Sequence, residues 1–179
     1  MPRYVAFLRA INVGGRFVSM ADLAAHFESF GLEQVETFIA SGNVIFQSRL
    51  APVTLEGRIA DGLKARLGYD VATFVRSEAE VAAVATCTPW PAAAIAAAGA
   101  FNVSFVAHTL TAAQQKALAA RNSDIDALMA VGREVYWLCA VKQSDSRFSN
   151  AVLERTIGTP GTLRGMNTVQ RLAKKLGVL

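Results

Sequence analysis

Apolar positions in the first half of the chain alternate between short β-rich runs and segments with helical spacing. One helical pattern follows Ser19, whose hydroxyl is a suitable N-cap, and a second starts at Pro52. The β-rich runs predict four strands, over residues 4–9, 35–39, 44–47 and 70–76. The predicted order is βαββαβ, the ferredoxin-like pattern in which two helices cover one face of an antiparallel sheet.

A linking helix is expected after the fourth strand. Ser77 and Glu80 form a capping-box pattern at its start. The sequence TPWP at residues 88–91 then forces an extended chain, because proline restricts the residue before it as well as itself. We expect the alanine-rich stretch 92–100 to be a connection to the next strand.

The second half repeats the pattern of the first. The predicted elements are a strand over residues 101–107, a helix behind a Thr111/Gln114 capping box, a hairpin turning near residues 132–133, a helix ended by Gly158 and a short strand. Asn167 or Thr168 is expected to cap the final helix. We therefore predict an α+β fold with two ferredoxin-like βαββαβ subdomains, residues 1–91 and 92–179, plus a linking helix and a C-terminal helix.

Composition adds limits to this picture. The chain has 179 residues, of which 53% are hydrophobic, so it can bury a core and is not disordered. Cys87 and Cys139 stand far apart outside any C-x-x-C motif, which argues against a disulfide framework or a zinc site. Residues 81–107 carry no charge, but prolines interrupt them and alanine dominates them, so no membrane span is expected. We expect a soluble cytoplasmic protein without a metal or cofactor, and the oligomeric state stays open.

The loop after the first predicted strand is the main candidate for binding chemistry. Gly14 and Gly15 allow backbone N–H groups to turn toward one point, and Arg9 and Arg16 flank them. Arginine suits phosphate or carboxylate groups, and the helix start at Ser19 adds its dipole. The loop is neither a Walker motif nor a dinucleotide fingerprint. The alternative is a turn that needs glycine, with Asn12 bonding to the backbone.

Two further segments carry candidate residues. Ser41, Gly42 and Asn43 predict first of all a hairpin turn. We expect this turn and the Gly-Gly loop to lie at opposite ends of the first helix. Arg164 and Asn167, in the tail sequence TLRGMNT, are candidates for completing an anion site from the second subdomain, although a capped strand-to-helix connection is the favoured interpretation.

Three segments together resemble a known family. They are RAINVGGRFVSMADL (9–23), FIASGNVIF (38–46) and TPGTLRGMNTVQRL (159–172), with TPWP between them. This set is similar to the uncharacterised bacterial domain-of-unknown-function family DUF1697. The resemblance implies two ferredoxin-like subdomains and no established activity. This chain departs from the family pattern at three positions, with Ala10 for Gly, Phe38 for Tyr and Gly165 for Asn.

The leading hypothesis is that the protein binds a small anionic ligand, phosphate or nucleotide-like, at the Gly-Gly loop. The candidate residues are Arg9, Asn12, Gly14, Gly15, Arg16, Arg164 and Asn167. One alternative is an enzyme acting on a phosphorylated or carboxylated small molecule, although no motif names a nucleophile or base. Another is a structural or protein-interaction module without a ligand. Nucleic acid is a less favoured partner that stays open: the net charge is +4, but the sheet aromatics are expected to be buried.

Overall fold

The first four strands form one antiparallel sheet in the computed structural model, which describes residues 1–179. The elements are β1 (Arg3–Leu8), α1 (Met20–Ser29), β2 (Glu33–Phe38), β3 (Asn43–Gln47), α2 (Pro52–Leu67) and β4 (Thr73–Ser77). The strand order is β2-β3-β1-β4, so β1 pairs with β3 on one side and β4 on the other. This is the ferredoxin-like arrangement predicted from the sequence.

The core of this unit lies between the sheet and its two helices. Leu23 and Phe27 of α1 are fully buried, as are Leu55, Ile59 and Leu63 of α2. Neighbouring residues determine where α1 begins and where α2 ends. Ser19 accepts a hydrogen bond from the Asp22 N–H, and Gly68 ends α2 in the left-handed conformation at φ 80°.

Two helices follow β4. Helix α3 (Glu78–Thr86) carries the predicted capping box, since Ser77 N–H donates to Glu80 Oε2 at 2.8 Å and Glu80 N–H donates to Ser77 Oγ at 3.3 Å. Helix α4 (Ala92–Ala97) occupies the stretch where a plain connection was expected, so that expectation was wrong. Alanine has the highest helix propensity, and Pro91 provides a compatible start.

The remaining elements repeat the first topology. They are β5 (Ala100–Val106), α5 (Ala112–Ala119), β6 (Asp126–Val131), β7 (Glu134–Cys139), a 3₁₀ turn (Gln143–Asp145), α6 (Asn150–Ile157), β8 (Gly161–Gly165) and α7 (Met166–Leu176). The second sheet has the order β6-β7-β5-β8. The Thr111/Gln114 capping box and the stop at Gly158 are both present. Helix α7 starts at Met166, before either predicted cap, because β8 runs directly into it.

The chain divides into two compact units, residues 1–82 with 172–179, and residues 83–171. The C-terminal end of α7 therefore belongs to the first unit, where Arg3 donates to the Leu176 carbonyl oxygen at 2.6 Å. The predicted boundary between residues 91 and 92 stays a prediction. No helix in the protein is both long enough and apolar enough to cross a membrane.

Two glycines of α2 provide a matched test of its packing. A Cβ at Gly57 would meet nothing within 4 Å, whereas a Cβ at Gly62 would lie 2.4 Å from Cε1 of Phe30. Gly57→Ala should raise the free energy of unfolding by about 0.5–1 kcal/mol, since alanine restricts the unfolded chain and favours a helix. Gly62→Ala should lower it, because the buried Phe30 ring must move. Urea unfolding of both variants checks this, and equal effects would contradict the packing of Phe30 on α2.

Candidate functional site

Three loops of the first unit meet at one end of its sheet. The Leu8 N–H donates to the Gly42 carbonyl oxygen at 2.8 Å, and the Arg9 N–H donates to the Ala72 carbonyl oxygen at 2.9 Å. The loop after β1, the β2–β3 turn and the segment before β4 are therefore neighbours. The expectation that the Gly-Gly loop and the Ser41–Asn43 turn lie far apart was wrong. Because β3 is antiparallel to β1, the turn that precedes β3 lies beside the end of β1.

Asn12 ties the loop to the turn. Its Oδ1 accepts from the Val18 N–H at 2.8 Å, and its Nδ2 donates to the Ala40 carbonyl oxygen at 3.3 Å. Both polar atoms of this side chain are thus engaged within the protein. Asn12 shapes the loop, and its direct contact with a ligand stays a prediction.

Gly14 and Gly15 form the exposed tip of the loop. Their φ angles of 63° and 81° lie in the left-handed region that favours glycine, and a Cβ on either would meet nothing within 4 Å. Neither N–H group donates a hydrogen bond within the protein. The tip therefore has two unpaired N–H donors, and the space where side chains would stand on both glycines is open.

Arg16 is positioned by an aromatic ring that the sequence pattern did not reveal. Its Cζ lies 4.1 Å from the ring centroid of Tyr69, and the Tyr69 hydroxyl faces the Ile11 carbonyl oxygen at 3.4 Å. This cation–π contact keeps the guanidinium over the ring without using its N–H donors. Tyr69 stands between α2 and β4, too far along the chain for local spacing to link it to the loop.

The start of α1 contributes less attraction for an anion than the sequence predicted. Ser19 Oγ donates to Asp22 Oδ2 at 2.7 Å and accepts from the Asp22 N–H at 3.0 Å. The Asp22 carboxylate already complements the positive end of the helix dipole. An anion at the Gly-Gly loop would therefore depend on the arginines and the glycine N–H groups.

Apolar side chains surround the polar groups of this loop. Phe17 is 82% exposed, Val13 55% and Ile39 38%.

The β2–β3 turn is held by Asn43, which is fully buried in β3. Within the turn, Ile39 has a positive φ of 51° and Gly42 has one of 79°. Asn43 Nδ2 donates to the Phe38 carbonyl oxygen at 3.0 Å and to Ser41 Oγ at 2.9 Å, which closes the turn. The turn thus presents Ile39 beside the Gly-Gly loop.

Residues 1–136 match the protein family described as "Protein of unknown function (DUF1697)". The chain belongs to this family. Among solved structures it is similar to a conserved bacterial protein, SP0830 from Streptococcus pneumoniae, with 23% sequence identity, a TM-score of 0.77 and 99% of each chain covered. That likeness supports the fold. A comparison with curated proteins found no match.

Arg164 and Asn167 of this DUF1697 chain lie in the second unit. Arg164 is buried in β8, where its Nη1 donates to Thr162 Oγ1 at 2.8 Å and to the Leu163 carbonyl oxygen at 2.9 Å. Burial lowers the pKa of Arg164 to about 10, which leaves it charged at neutral pH. Asn167 is exposed in the first turn of α7. Their part in a shared anion site stays a prediction.

No group of three or more His, Cys, Asp or Glu side chains is arranged to hold a metal ion. Asp126 is buried and accepts from Trp137 Nε1 and Ser146 Oγ, each at 2.8 Å. Both cysteines are free, and burial raises the pKa of the Cys139 thiol. A raised pKa disfavours the nucleophilic thiolate of Cys139.

Ala10 occupies a position where the DUF1697 pattern has glycine, and its φ is 56°. A residue with a Cβ is strained in this left-handed conformation. Ala10→Gly should therefore raise the free energy of unfolding, by up to about 1 kcal/mol after the greater freedom of glycine in the unfolded chain is subtracted. Chemical denaturation measures the change, and a clear loss of stability would contradict the strain at Ala10.

Removal of the Asn12 side chain should loosen the loop. Asn12→Ala leaves the Val18 N–H without its acceptor and should lower the free energy of unfolding by about 1–2 kcal/mol. Asn12→Asp keeps the acceptor for Val18 but places a carboxylate against the Ala40 carbonyl oxygen, so it should free the β2–β3 turn alone. Hydrogen exchange at residues 13–18 and 39–42 distinguishes the two variants. Unchanged exchange in both segments after Asn12→Ala would refute the role of Asn12.

Proposed function

We propose that the protein binds a small anionic ligand, phosphate or nucleotide-like, at the Gly-Gly loop. The observation that carries this proposal is the placement of the Arg16 guanidinium over the Tyr69 ring, beside two glycines whose N–H groups are free. Turn conformation accounts for the glycines without a ligand. It does not account for an exposed arginine held in one orientation next to them.

The loop combines the donors that oxyanions require. An arginine presents its N–H groups in a planar fork that matches phosphate or carboxylate oxygens. Backbone N–H groups that are unpaired in a turn can donate to an anion, and the absence of side chains at Gly14 and Gly15 permits close approach. Arg9, half-buried at the end of β1, adds a second positive charge to the same loop.

The exposed apolar side chains favour a ligand that is more than a bare anion. Phe17 offers a planar face to an aromatic base, and Val13 and Ile39 add apolar surface. A nucleotide joins an anionic group and a planar ring in one molecule. We therefore place nucleotides ahead of inorganic phosphate.

The same apolar side chains support a second candidate, a protein-interaction role for this end of the sheet. Three exposed large hydrophobic residues on adjacent loops are a feature of recognition surfaces. The enzyme alternative lacks a comparable observation, since the hydroxyl and carboxylate next to the loop, Ser19 and Asp22, are engaged in capping α1.

Substitution of Arg16 should separate these candidates. Calorimetric titration with a panel of nucleoside mono- and triphosphates should give saturable binding that Arg16→Ala weakens about two- to fivefold, while Arg16→Lys recovers part of it. Phe17→Ser should weaken nucleotides more than inorganic phosphate. The matched control is Arg49→Ala, because Arg49 is exposed at the opposite end of the same sheet, next to Ser48, whose N–H donates to the Pro2 carbonyl oxygen at 3.2 Å.

The outcomes are distinct. Equal losses for Arg16→Ala and Arg49→Ala would indicate nonspecific attraction and would contradict a site at the loop. An absence of saturable binding across the panel would refute the proposed function. Self-association or capture of a defined protein that Phe17→Ser abolishes, with no ligand bound, would establish the interaction role instead.

A further inference from the structure

A pocket of about 410 Å³ opens in the second unit, where β8 passes directly into α7. Its walls come from the end of α4, the first residues of β5, and the first turn of α7. This volume lies within the range of small-molecule sites. All residues that line the pocket belong to the second unit, and all residues of the Gly-Gly loop belong to the first.

Asn102 lines this pocket and is only 4% exposed. Its Nδ2 group has no hydrogen-bond partner. A buried donor left unpaired opposes folding, so its presence requires an acceptor that the protein itself does not supply.

The first turn of α7 adds further donors beside Asn102. The first N–H groups of a helix have no acceptor within the helix, and the preceding residue, Gly165, has no side chain with which to cap them. Asn167 does not cap these N–H groups, because its side chain makes no hydrogen bond. The first turn also contains no acidic residue that could compensate the helix dipole. The positive end of the helix dipole therefore faces the pocket.

The equivalent strand-to-helix junction in the first unit, between β4 and α3, has its helix N–H groups paired by side chains. There Tyr4 pairs with Ser77, as Asn102 pairs with Gly165, and α3 follows β4 directly as α7 follows β8. Ser77 caps α3 with Glu80 in a capping box, and the first turn carries two acidic residues. In the second unit a glycine replaces the cap, the acids are missing, and an unpaired amide lies beneath.

We infer that this pocket binds the carboxylate of a small molecule, with Asn102 Nδ2 and the α7 N–H groups as donors. No cationic side chain lines the pocket, which favours a singly charged carboxylate over a phosphate dianion that is costlier to desolvate. Apolar contact with Ile95, Phe101 and Met166 suits a short aliphatic or aromatic remainder. The Glu80 carboxylate plays the equivalent part in the first unit.

The test is an NMR titration of the full-length ¹⁵N-labelled protein with sodium propionate, sodium phosphate and sodium chloride at equal ionic strength. Propionate should produce saturable shifts at the amides of residues 166–168 and at the Asn102 side chain, at millimolar concentration. Chloride should produce none. Tighter binding of phosphate than of propionate would overturn the carboxylate assignment.

Two variants distinguish a ligand site from a buried water. Asn102→Leu replaces the amide by an apolar group of similar size and should abolish the propionate shifts without lowering the melting temperature. The double variant Gly165→Ser, Thr168→Glu installs the capping box of α3. A Cβ at Gly165 has room, since its nearest neighbour, Asn102 Oδ1, lies at 3.8 Å.

The capping variant should fold at least as stably as the natural sequence and bind propionate at least tenfold more weakly, because the new carboxylate occupies the donors. The inference fails if the natural protein shows no saturable shifts, or if both variants keep them. A large loss of melting temperature in Asn102→Leu, without propionate binding in the natural protein, would assign the amide to a structural water. The Arg16→Ala variant should bind propionate normally, so this result is independent of the Gly-Gly loop.

Discussion

Antiparallel pairing of β1 with both β3 and β4 is the constraint on which the candidate site of the first unit depends. A central strand with two antiparallel neighbours brings the loop that follows it against the loops that precede those neighbours. The Gly-Gly loop, the Ile39–Gly42 turn and Tyr69 meet for this reason, although Asn12 is 28 residues from Ala40 and Ile11 is 58 residues from Tyr69. Side-chain contacts then fix the positions of these neighbouring segments. Asn12 joins the Gly-Gly loop to the β2–β3 turn, and the Tyr69 ring orients Arg16.

The second unit has the same antiparallel pairing of a central strand, β5, with two neighbours, but a different part of its sheet forms the candidate site. Pairing of β5 with β8 places Asn102 opposite Gly165, at the point where a strand becomes a helix without a loop. Such a junction leaves helix N–H groups exposed unless a side chain caps them. Ser77 and Glu80 cap the N–H groups of α3, whereas no side chain caps those of α7. Two copies of one topology thus differ at the level of hydrogen bonding, where a fold can gain a binding site without a change in its architecture.

Features set by neighbouring residues could be predicted from the sequence, and features set by distant ones could not. Helical spacing on α1 and α2, both capping boxes and the glycine stops at Gly68 and Gly158 depend on residues within one or two turns, and the structure confirms them. The proximity of the Gly-Gly loop and the hairpin turn depends on the antiparallel pairing of β1 with β3, which no pattern of neighbouring residues encodes. Tyr69 and Asn102 carry no local pattern at all, since their significance comes from partners on other elements. The helix α4 was missed because its alanines lack an apolar face that could mark it.

The two candidate sites also differ in how affinity can arise. An exposed arginine paired with an anion in water contributes only about 0–1 kcal/mol, and salt screens it further. In the proposed function, Arg16 and the glycine N–H groups would therefore select the class of ligand without holding it tightly. Burial of apolar surface contributes about 25 cal/mol per Å², so a planar ligand that covers Phe17 and its neighbours gains more from them than from the charge. At Asn102 the balance is reversed, because the donor is already desolvated and the cost of burying it was met when the protein folded. A neutral donor in that position binds an acceptor more strongly than an exposed one, so a carboxylate does not need a cation in this pocket.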